Sequence, residues 1–317
     1  MGAGEFDLIA RIRARAGTRD DIVLGIGDDA ALLAPPPDRQ LVVTADTLNI
    51  GVHFPEGTSP ADIGWKALAV NLSDLAAMGA EPAWCTLSLS LPQSDPTWID
   101  AFLDGFLALA ARHGIALVGG DTTRGPLSVS VTAMGLVAPG RALRRDGARV
   151  GDDVWITGTL GDAAGGLAHL ERLSSPLLRG RLDRPTPRVD AGRALVGIAT
   201  ACVDVSDGLL ADLGHICGRS GVGAQVDVDT LPASDALRTS FDDAHRLALQ
   251  ASGGDDYELC FTAPTEERER ILALASRLDL PMTRIGGIVE GEAVQALRRD
   301  GQPWQPVRRG YDHFDSV

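Results

Sequence analysis

The chain has 317 residues and a formal net charge of −14 at pH 7, and 44% of its residues are hydrophobic. At this length we expect two domains, each with its own core. The negative charge excludes nucleic acid and anionic membrane surfaces as partners, because long-range electrostatic fields repel both. No apolar run approaches the roughly 20 residues that cross a bilayer, and the N-terminal stretch lacks a signal-peptide pattern, so we expect a cytoplasmic protein.

Strands alternate with helices along the first half of the chain, which is typical of a mixed α/β fold. Two helices have clear ends: one begins at Ser59-Pro60 and closes at Gly79, and the other begins at Asp95-Pro96 and closes at Gly114. The predicted strands of this half are residues 21–27, 41–46, 84–91, 115–120 and 127–137. Alternation of apolar and polar residues is most regular in the last of these strands.

Residues 139–153 interrupt this pattern with PGRALRRDGARVGDD, which is rich in Gly, Arg and Asp and has no period. We place the domain boundary there, which gives an N-terminal domain of residues 1–140 and a C-terminal domain of residues 141–317. Further strands are predicted near DDVWITG, CVDVS, GAQVDVD, YELCFTA and MTRIGGIV. The four cysteines, Cys85, Cys202, Cys217 and Cys260, have no CxxC spacing and are predicted to be free buried thiols.

Aspartates fall at or beside the predicted strand ends, most of them next to glycine. They occur in GIGDDA (Asp28, Asp29), TADT (Asp46), GGDTT (Asp121), DVSDG (Asp204, Asp207) and SGGDDYE (Asp255, Asp256). Any one of these stretches is also compatible with a solvated turn, because Asp and Gly favour turns. The recurrence of the pattern is what indicates a functional site.

Asp74 lies in NLSDLAAMG, within the last turns of the helix that closes at Gly79. The helix dipole disfavours an anion there by a few tenths of a kcal/mol up to about 1 kcal/mol. An exposed aspartate can tolerate that cost, and a carboxylate directed at a cation would offset it. Mg²⁺ prefers oxygen ligands from one or two carboxylates together with substrate phosphates, which accounts for the paired acids.

Other chemistries fit less well. GIGDDA has the loose form of a dinucleotide fingerprint, but the prolines of ALLAPPPDR bar the helix that should follow it. No GxxxxGK[ST] loop is present, and Lys66, the one lysine, lies in a predicted helix. DVSDGL lacks the closing glutamate of an EF-hand, and neither GxSxG nor HExxH occurs. The six histidines form no ligand spacing, and only His53, shortly after Asp46, remains a candidate.

A series of motifs along the whole chain resembles the thiamine-monophosphate kinases. They are GEFDLIARI, GIGDDAALL, TADTLNIGVHF, KALAVNLSDLAAMGAEPAW, GGDTTRGPLSVSVTAMG, VDVSDGLLADLGHI, SGGDDYELCFT and the terminal GYDHF. GGDT and DxSDG recur across the PurM-like superfamily typified by aminoimidazole ribonucleotide synthetase. NLSDLAAMGA, GGDTTRGP and SGGDDYELCF are specific to the thiamine enzymes. The reactive cysteine of selenophosphate synthetases and the C-terminal cysteine of the hydrogenase-maturation member are absent from the sequence.

The resemblance implies a two-domain α/β (α+β) PurM-like fold. The N-terminal mixed sheet would bind ATP and metal and pair with its counterpart in a homodimer, forming a barrel across the interface. The C-terminal domain would be an α/β sandwich. The implied reaction is ATP-dependent phosphorylation of thiamine monophosphate to thiamine diphosphate, with ATP as co-substrate and several Mg²⁺ ions.

The resemblance also implies roles for individual residues. The metal ligands map to Asp29, Thr44, Ala45, Asp46, Asp74, Asp121, Asp204 and Asp207. ATP contacts map to Gly120, Asp121, Arg145 and Ser206, and thiamine phosphate contacts map to His53, Asp255 and Tyr311. Two positions depart from the family pattern: Ala45 stands where a hydroxyl residue is common and could ligate only through its backbone oxygen, and Asp255 stands where the longer glutamate is common.

This reaction does not require a general base. A phosphate monoester has a second pKa near 6, so the attacking oxygen is already largely anionic at pH 7. Metal ions held by carboxylates would offset the repulsion between two polyanions, and Asp46, Asp121 and Asp207 are expected to be the most critical residues. Asp28 would only order the turn beside Asp29. The alternatives are a non-enzymatic cation- or nucleotide-binding protein and a different kinase or synthetase of the superfamily.

Overall fold

The computed structural model describes residues 4–170, 175–306, 310 and 311. The chain divides into two compact units, the first made of Met1–Leu75 and Ala80–Gly140 and the second of Ala76–Gly79 and Arg141–Val317. In the described part of the chain, no helix is long and apolar enough to cross a membrane.

Among its described residues, the first unit contains three helices and six strands. The helices are α1 (Glu5–Arg15), α2 (Pro60–Ala77) and α3 (Pro96–His113), and the strands are β1 (Ile22–Leu24), β2 (Leu32–Leu33), β3 (Gln40–Asn49), β4 (Glu81–Leu91), β5 (Ala116–Arg124) and β6 (Ser128–Val137). The predicted starts of α2 and α3 are confirmed. The Asp95 carboxylate accepts hydrogen bonds from the Thr97 and Trp98 amides at the start of α3, and Gly114 ends that helix in the left-handed conformation.

The main sheet of this unit has the strand order β3-β6-β4-β5. β6 runs antiparallel to both β3 and β4, while β4 and β5 are parallel. Val129 and Val131 of β6 and Leu87 and Leu89 of β4 are at most 4% exposed, and they share one face of the sheet, which we call the inner face. The predicted alternation along β6 is therefore confirmed.

Two strands extend further than the sequence predicts. β3 continues past Asp46 to Asn49, and β5 continues past Asp121 to Arg124. Pairing with β6 runs along the whole of β3 and overrides the turn preference of Asp46. The prediction that Asp46 and Asp121 lie at strand ends is therefore wrong, since both side chains project from within the sheet.

The second unit contains seven helices and six strands among the described residues. The helices are α4 (Asp162–Ala168), α5 (Pro176–Asp183), α6 (Val189–Leu195), α7 (Leu209–Ser220), α8 (Asp235–Ser240), α9 (Asp243–Ser252) and α10 (Arg268–Leu278). The strands are β7 (Asp153–Thr157), β8 (Ala201–Asp204), β9 (Gly223–Asp227), β10 (Leu259–Ala263), β11 (Met282–Val289) and β12 (Val294–Leu297). Each strand predicted for this half is present, and β12 is an additional one.

These six strands form one mixed sheet in the order β12-β9-β11-β7-β10-β8. Only the β12–β9 pair is parallel. All residues of β7, β8 and β10 are buried, so this unit has its own core. All four cysteines are free and buried, as predicted. Both units thus combine a mixed sheet with helices, which confirms the predicted α/β class.

Candidate active site

Thr44, Asp46 and Asp74 form a compact polar group in the first unit. Thr44 and Asp46 alternate onto the inner face of β3, where Leu48 is 3% exposed. Asp74 reaches them from the last turns of α2, and its Oδ2 accepts a hydrogen bond from the Thr44 hydroxyl. Asp46 forms a side-chain hydrogen bond with the same carboxyl. The structure thus brings together three of the residues predicted as metal ligands.

This group has the donor chemistry of a divalent-cation site. Burial, followed by the charge of Asp74 and their shared hydrogen bond, raises the pKa of Asp46 to about 6. Without a cation, the two carboxyls must share a proton or bear the repulsion between like charges. Hard cations favour such a set of carboxylate and hydroxyl oxygens. Among the described residues, however, no three His, Cys, Asp or Glu side chains cluster closely enough to hold a metal by themselves.

The shared proton gives a pH-dependent prediction for the metal-free protein. A carboxyl whose pKa rises from 3.8 to about 6 on folding favours the folded state below pH 3.8 and loses that contribution as the pH rises through 6. Asp46→Asn removes this dependence. We expect the variant to exceed the wild type in free energy of unfolding by about 2 kcal/mol at pH 8, less than the roughly 3 kcal/mol of a fully shielded carboxyl, because solvent still reaches Asp46.

Urea unfolding in EDTA at pH 4 and pH 8 measures this difference. The exposed carboxyl of Asp38 offers a matched control, and Asp38→Asn should behave as the wild type at both pH values. A gain in stability that is the same at pH 4 and pH 8 would show that the Asp46–Asp74 repulsion is not its source.

Ala45 and Asp121 lie on the outer face of the same sheet, opposite the inner face. In the register, Asp121 is beside Ser88 of β4 and Ser88 is beside Ser130 of β6, whose hydroxyl lies 2.7 Å from that of Thr47. Strand alternation places this polar row on the face opposite Asp46. Within the part of the first unit that the structure describes, the predicted metal ligands therefore do not form a single cluster.

Gly120, predicted to contact ATP, lies where β5 packs tightly against the backbone of β4. Its φ is 149°, and a Cβ built at this position would lie 1.8 Å from the Leu87 carbonyl oxygen. Only glycine fits such a contact. Gly120 and Asp121 are both exposed residues, and the Gly120 backbone packs tightly against β4.

The turn that carries Asp29 is ordered by its neighbour. Asp28 Oδ1 accepts a hydrogen bond of 2.9 Å from the Asp29 amide, and both side chains are exposed. Gly27 has a φ of 128° and packs against the guanidinium of Arg13. Asp28 thus has the turn-ordering contact expected of it, and Asp29 is in the loop between β1 and β2.

His53 lies in a turn after β3 that a buried lysine supports. Its Nδ1 accepts a 3.0 Å hydrogen bond from the Asn49 amide, and Lys66 Nζ donates a 2.9 Å hydrogen bond to the His53 carbonyl oxygen. Lys66 is only 2% exposed. The single lysine of the chain is therefore a structural support of the turn that presents His53.

In the second unit, the DVSDG motif forms a loop whose amides converge on one carboxylate. Asp204 is buried at the end of β8, and the backbone N–H groups of Ser206, Asp207 and Gly208 all donate to Asp212 Oδ2, at 3.1, 3.1 and 3.0 Å. Burial, then the charge of Asp207, raises the pKa of Asp212 to about 7, while the three amides oppose that shift.

The segment containing Asp255 and Tyr257 has an unusual backbone. Asp255 and Tyr257 have φ values of 68° and 50°, which residues other than glycine rarely adopt. The Tyr257 hydroxyl donates a 3.0 Å hydrogen bond to Asp255 Oδ1. The neighbouring acids hold the segment: both carboxylate oxygens of Asp256 accept from the Gly161 amide, and buried Glu258 pairs with Arg188. Asp255 thus lies in a segment that hydrogen bonds and an ion pair hold in place.

Tyr311 and Arg145 are the remaining predicted contacts. The Tyr311 amide donates a 2.9 Å hydrogen bond to the Asp207 carbonyl, and the Tyr311 side chain is 51% exposed. Arg145 is exposed in the stretch before β7, where its carbonyl accepts a 2.9 Å hydrogen bond from the Ser220 hydroxyl. Asp312, His313 and Phe314 of the GYDHF motif lie outside the described part of the chain.

Three supporting residues were not assigned a role from the sequence: Lys66, Asp212 and Tyr257. Lys66 lies within a predicted helix, Asp212 has the spacing of an ordinary first-turn helical acid, and Tyr257 falls within the predicted strand YELCFTA. Their contacts depend on loops whose paths the sequence pattern does not specify. The signal that could have drawn attention to Asp212 is its place in the first turn of a helix that follows the glycine of DVSDG.

Comparisons with known proteins first define the class. Residues 27–137 match the family described as AIR synthase related protein, N-terminal domain, and residues 149–297 match its C-terminal domain. Together with one mixed sheet in each unit, these matches define a two-domain PurM-like α/β protein.

Named relatives then narrow the class. The chain is 49% identical to the thiamine-monophosphate kinase of Salmonella typhimurium, over 99% of each chain. Its structure matches that of thiamine-monophosphate kinase from Stenotrophomonas maltophilia with 60% identity and a TM-score of 0.88, covering 95% of this chain and 98% of that one. It also matches AaThiL complexed with AMPPCP and TMP, with 33% identity, a TM-score of 0.79 and coverage of 98% and 97%. The chain belongs to the thiamine-monophosphate kinase family, which confirms the resemblance carried by its motifs.

Proposed function

We propose that this protein transfers the γ-phosphoryl group of ATP to the phosphate of thiamine monophosphate, forming thiamine diphosphate and ADP. The observation that carries the proposal is the full-length likeness to thiamine-monophosphate kinases, which includes a structure complexed with AMPPCP and TMP. ATP is the co-substrate, and the reaction belongs to thiamine diphosphate biosynthesis. The proposed location is the cytoplasm, where ATP is available.

The chain supplies binding and positioning groups for this reaction. In the proposal, Asp46 and Asp74 hold a divalent cation with Thr44, and Asp29, Ala45 (through its backbone oxygen), Asp121, Asp204 and Asp207 complete the metal set. Mg²⁺, when bound, would neutralise phosphate charge and align donor and acceptor. Gly120, an exposed residue whose backbone packs tightly against Leu87, is assigned to ATP in the proposal. The acceptor phosphate is already largely anionic at neutral pH, so no residue need remove a proton from it.

The nucleotide and acceptor contacts follow the family pattern. We assign Gly120, Asp121, Arg145 and Ser206 to ATP and His53, Asp255 and Tyr311 to thiamine phosphate. We assign ATP binding, metal binding and dimerisation to residues 1–140 and the second PurM-like domain to residues 141–317. The short reach of Asp255 is consistent with the hydrogen bond from Tyr257, which fixes one of its oxygens.

An assay that couples ADP release to a panel of acceptors tests the proposal. ADP should form with thiamine monophosphate, and mass spectrometry should detect thiamine diphosphate in equal amount. Thiamine, free phosphate and aminoimidazole ribonucleotide precursors serve as alternative acceptors. ADP formation with another acceptor only would identify a different superfamily enzyme, and ligand binding without ADP formation would identify a binding protein.

We further propose a homodimer in which the first unit's sheet closes a barrel with its counterpart. β3 lies at an edge of that sheet, and Leu41 and Val43 on its outer face are 50% and 56% exposed. An apolar edge strand exposed in this way favours pairing with a second copy.

Light scattering at micromolar concentration should give twice the chain mass of 33.2 kDa. Val43→Arg places a charge on the proposed interface and should shift the protein to monomer. Leu272→Arg, at a 54% exposed leucine on α10, is the matched control and should leave the mass unchanged. A wild-type protein that is monomeric at this concentration would contradict the dimer.

A further inference from the structure

A three-residue loop of the second unit lies at the centre of the proposed contacts of that unit. Ser206 and Asp207 are assigned to ATP and metal, and Gly208 leads into α7. Their three amides point to one oxygen of Asp212, which is itself 3% exposed. One buried carboxylate oxygen therefore fixes three consecutive peptide planes.

The carbonyl groups of the same loop bind the two segments that carry the proposed thiamine phosphate contacts. Ser206 O accepts a 2.9 Å hydrogen bond from the Asp255 amide, and Asp207 O accepts a 2.9 Å hydrogen bond from the Tyr311 amide. Gly254 also packs against the loop, since a Cβ there would lie 2.5 Å from Ser206 O. The segments that carry the two proposed thiamine phosphate contacts in this unit are thus bonded to two of the three residues whose amides Asp212 holds.

We infer that Asp212 is a positioning residue that couples the nucleotide and acceptor contacts of the second unit through the loop of residues 206–208. The inference rests on the proposed function, since it concerns how that site is held together. Asp212 acts on both ligands through the loop, whose peptide groups carry its effect. A peptide group that is hydrogen-bonded at both its N–H and its C=O has little freedom to move. The nucleotide contacts and the acceptor contacts therefore both depend on Asp212.

Removal of the Asp212 carboxylate should therefore weaken the binding of both ligands. Asp212→Ala leaves three amides without their acceptor, and a hydrogen-bond donor left without a partner is unfavourable. The loop then gains freedom to turn its amides towards water. Asp212→Asn keeps an acceptor oxygen of the same reach and loses the charge, so it should restore much of the loop geometry.

Calorimetry with Mg-AMPPCP and with thiamine monophosphate, each measured separately, tests the inference in folded full-length variants. We expect Asp212→Ala to weaken both affinities by about fivefold and Asp212→Asn to recover most of that loss. Asp255→Asn should weaken only thiamine monophosphate. Amide hydrogen exchange of residues 206–208 in ligand-free protein should be protected in the wild type and accelerated in Asp212→Ala.

Asp153→Ala provides a control for general destabilisation. Asp153 is another buried carboxylate of the same unit, paired with Arg268 and Arg284. The Asp153→Ala variant should melt at a lower temperature and bind both ligands normally. If Asp212→Ala behaves in the same way, or weakens only one ligand, the coupling is refuted while the proposed function stands. A wild type that binds neither ligand would refute the proposed function and the coupling together.

Discussion

Asp46→Asn is expected to lower kcat for phosphoryl transfer by about a hundredfold or more, an effect of the size seen when one preorganised electrostatic group is lost. Asparagine retains the shape of the side chain and its ability to hydrogen bond with Asp74. It removes the negative charge with which Asp46, beside Asp74 and Thr44, is proposed to hold a divalent cation. Asp121→Asn, on the outer face, should cause a loss of the same order.

Steady-state kinetics over a range of Mg²⁺ concentrations measures the effect. If the carboxylate holds the cation, the half-saturating Mg²⁺ concentration should rise in Asp46→Asn, and high Mg²⁺ or Mn²⁺ should restore part of the activity. Circular dichroism should show an intact fold, and Asp38→Asn should have wild-type activity. Full turnover of the wild type in excess EDTA would refute the metal requirement altogether.

The elements of the fold could be predicted because the signals are local. Asp95 caps α3, Gly114 ends it in a left-handed conformation, and β6 has a regular alternation of burial. The length of β3 could not be predicted from local signals, because it depends on pairing with β6, which lies far away in the sequence. Strand pairing thus prevailed over the turn preference of a single aspartate.

The site shows the same division between local and tertiary information. The motifs identify Asp46, Asp74 and Asp121 as candidates, and the position of Asp74 in α2 is confirmed. That Asp46 and Asp74 meet while Asp121 lies on the other face depends on strand register and helix packing. The role of Asp212 could not be predicted because the loop whose amides donate to it has no period or composition that specifies its path.

The backbone conformation at Asp255 and Tyr311 determines which substitutions remove a side-chain group without disturbing the chain. Asp255 has a positive φ of 68°, and the Tyr257 hydroxyl donates to one of its oxygens. Asparagine tolerates this backbone conformation as aspartate does, whereas alanine does not. Asp255→Asn therefore removes the charge without disturbing the chain. Tyr311, with its amide bonded to Asp207 O, can lose its ring while its backbone stays attached.

Asp255→Asn and Tyr311→Ala should each raise the KM for thiamine monophosphate by about tenfold, equivalent to about 1.4 kcal/mol. Thiamine carries a fixed positive charge on its thiazolium ring and hydrogen-bond donors on its aminopyrimidine. A carboxylate and an exposed aromatic face are suitable partners for these groups. The KM for ATP should change by less than about twofold, because neither residue is assigned to the nucleotide.

Tyr311→Phe separates the ring from its hydroxyl, since it keeps the aromatic face and should leave the KM for thiamine monophosphate near the wild-type value. Calorimetry with thiamine monophosphate in the absence of ATP gives the same comparison without catalysis. Equal losses of ATP and thiamine monophosphate affinity in Asp255→Asn would show that the Asp255 charge stabilises the structure of the second unit and does not recognise thiamine monophosphate. Normal thiamine monophosphate binding in both Asp255→Asn and Tyr311→Ala would place the acceptor pocket elsewhere, because neither the charge nor the aromatic face would then contribute to recognition.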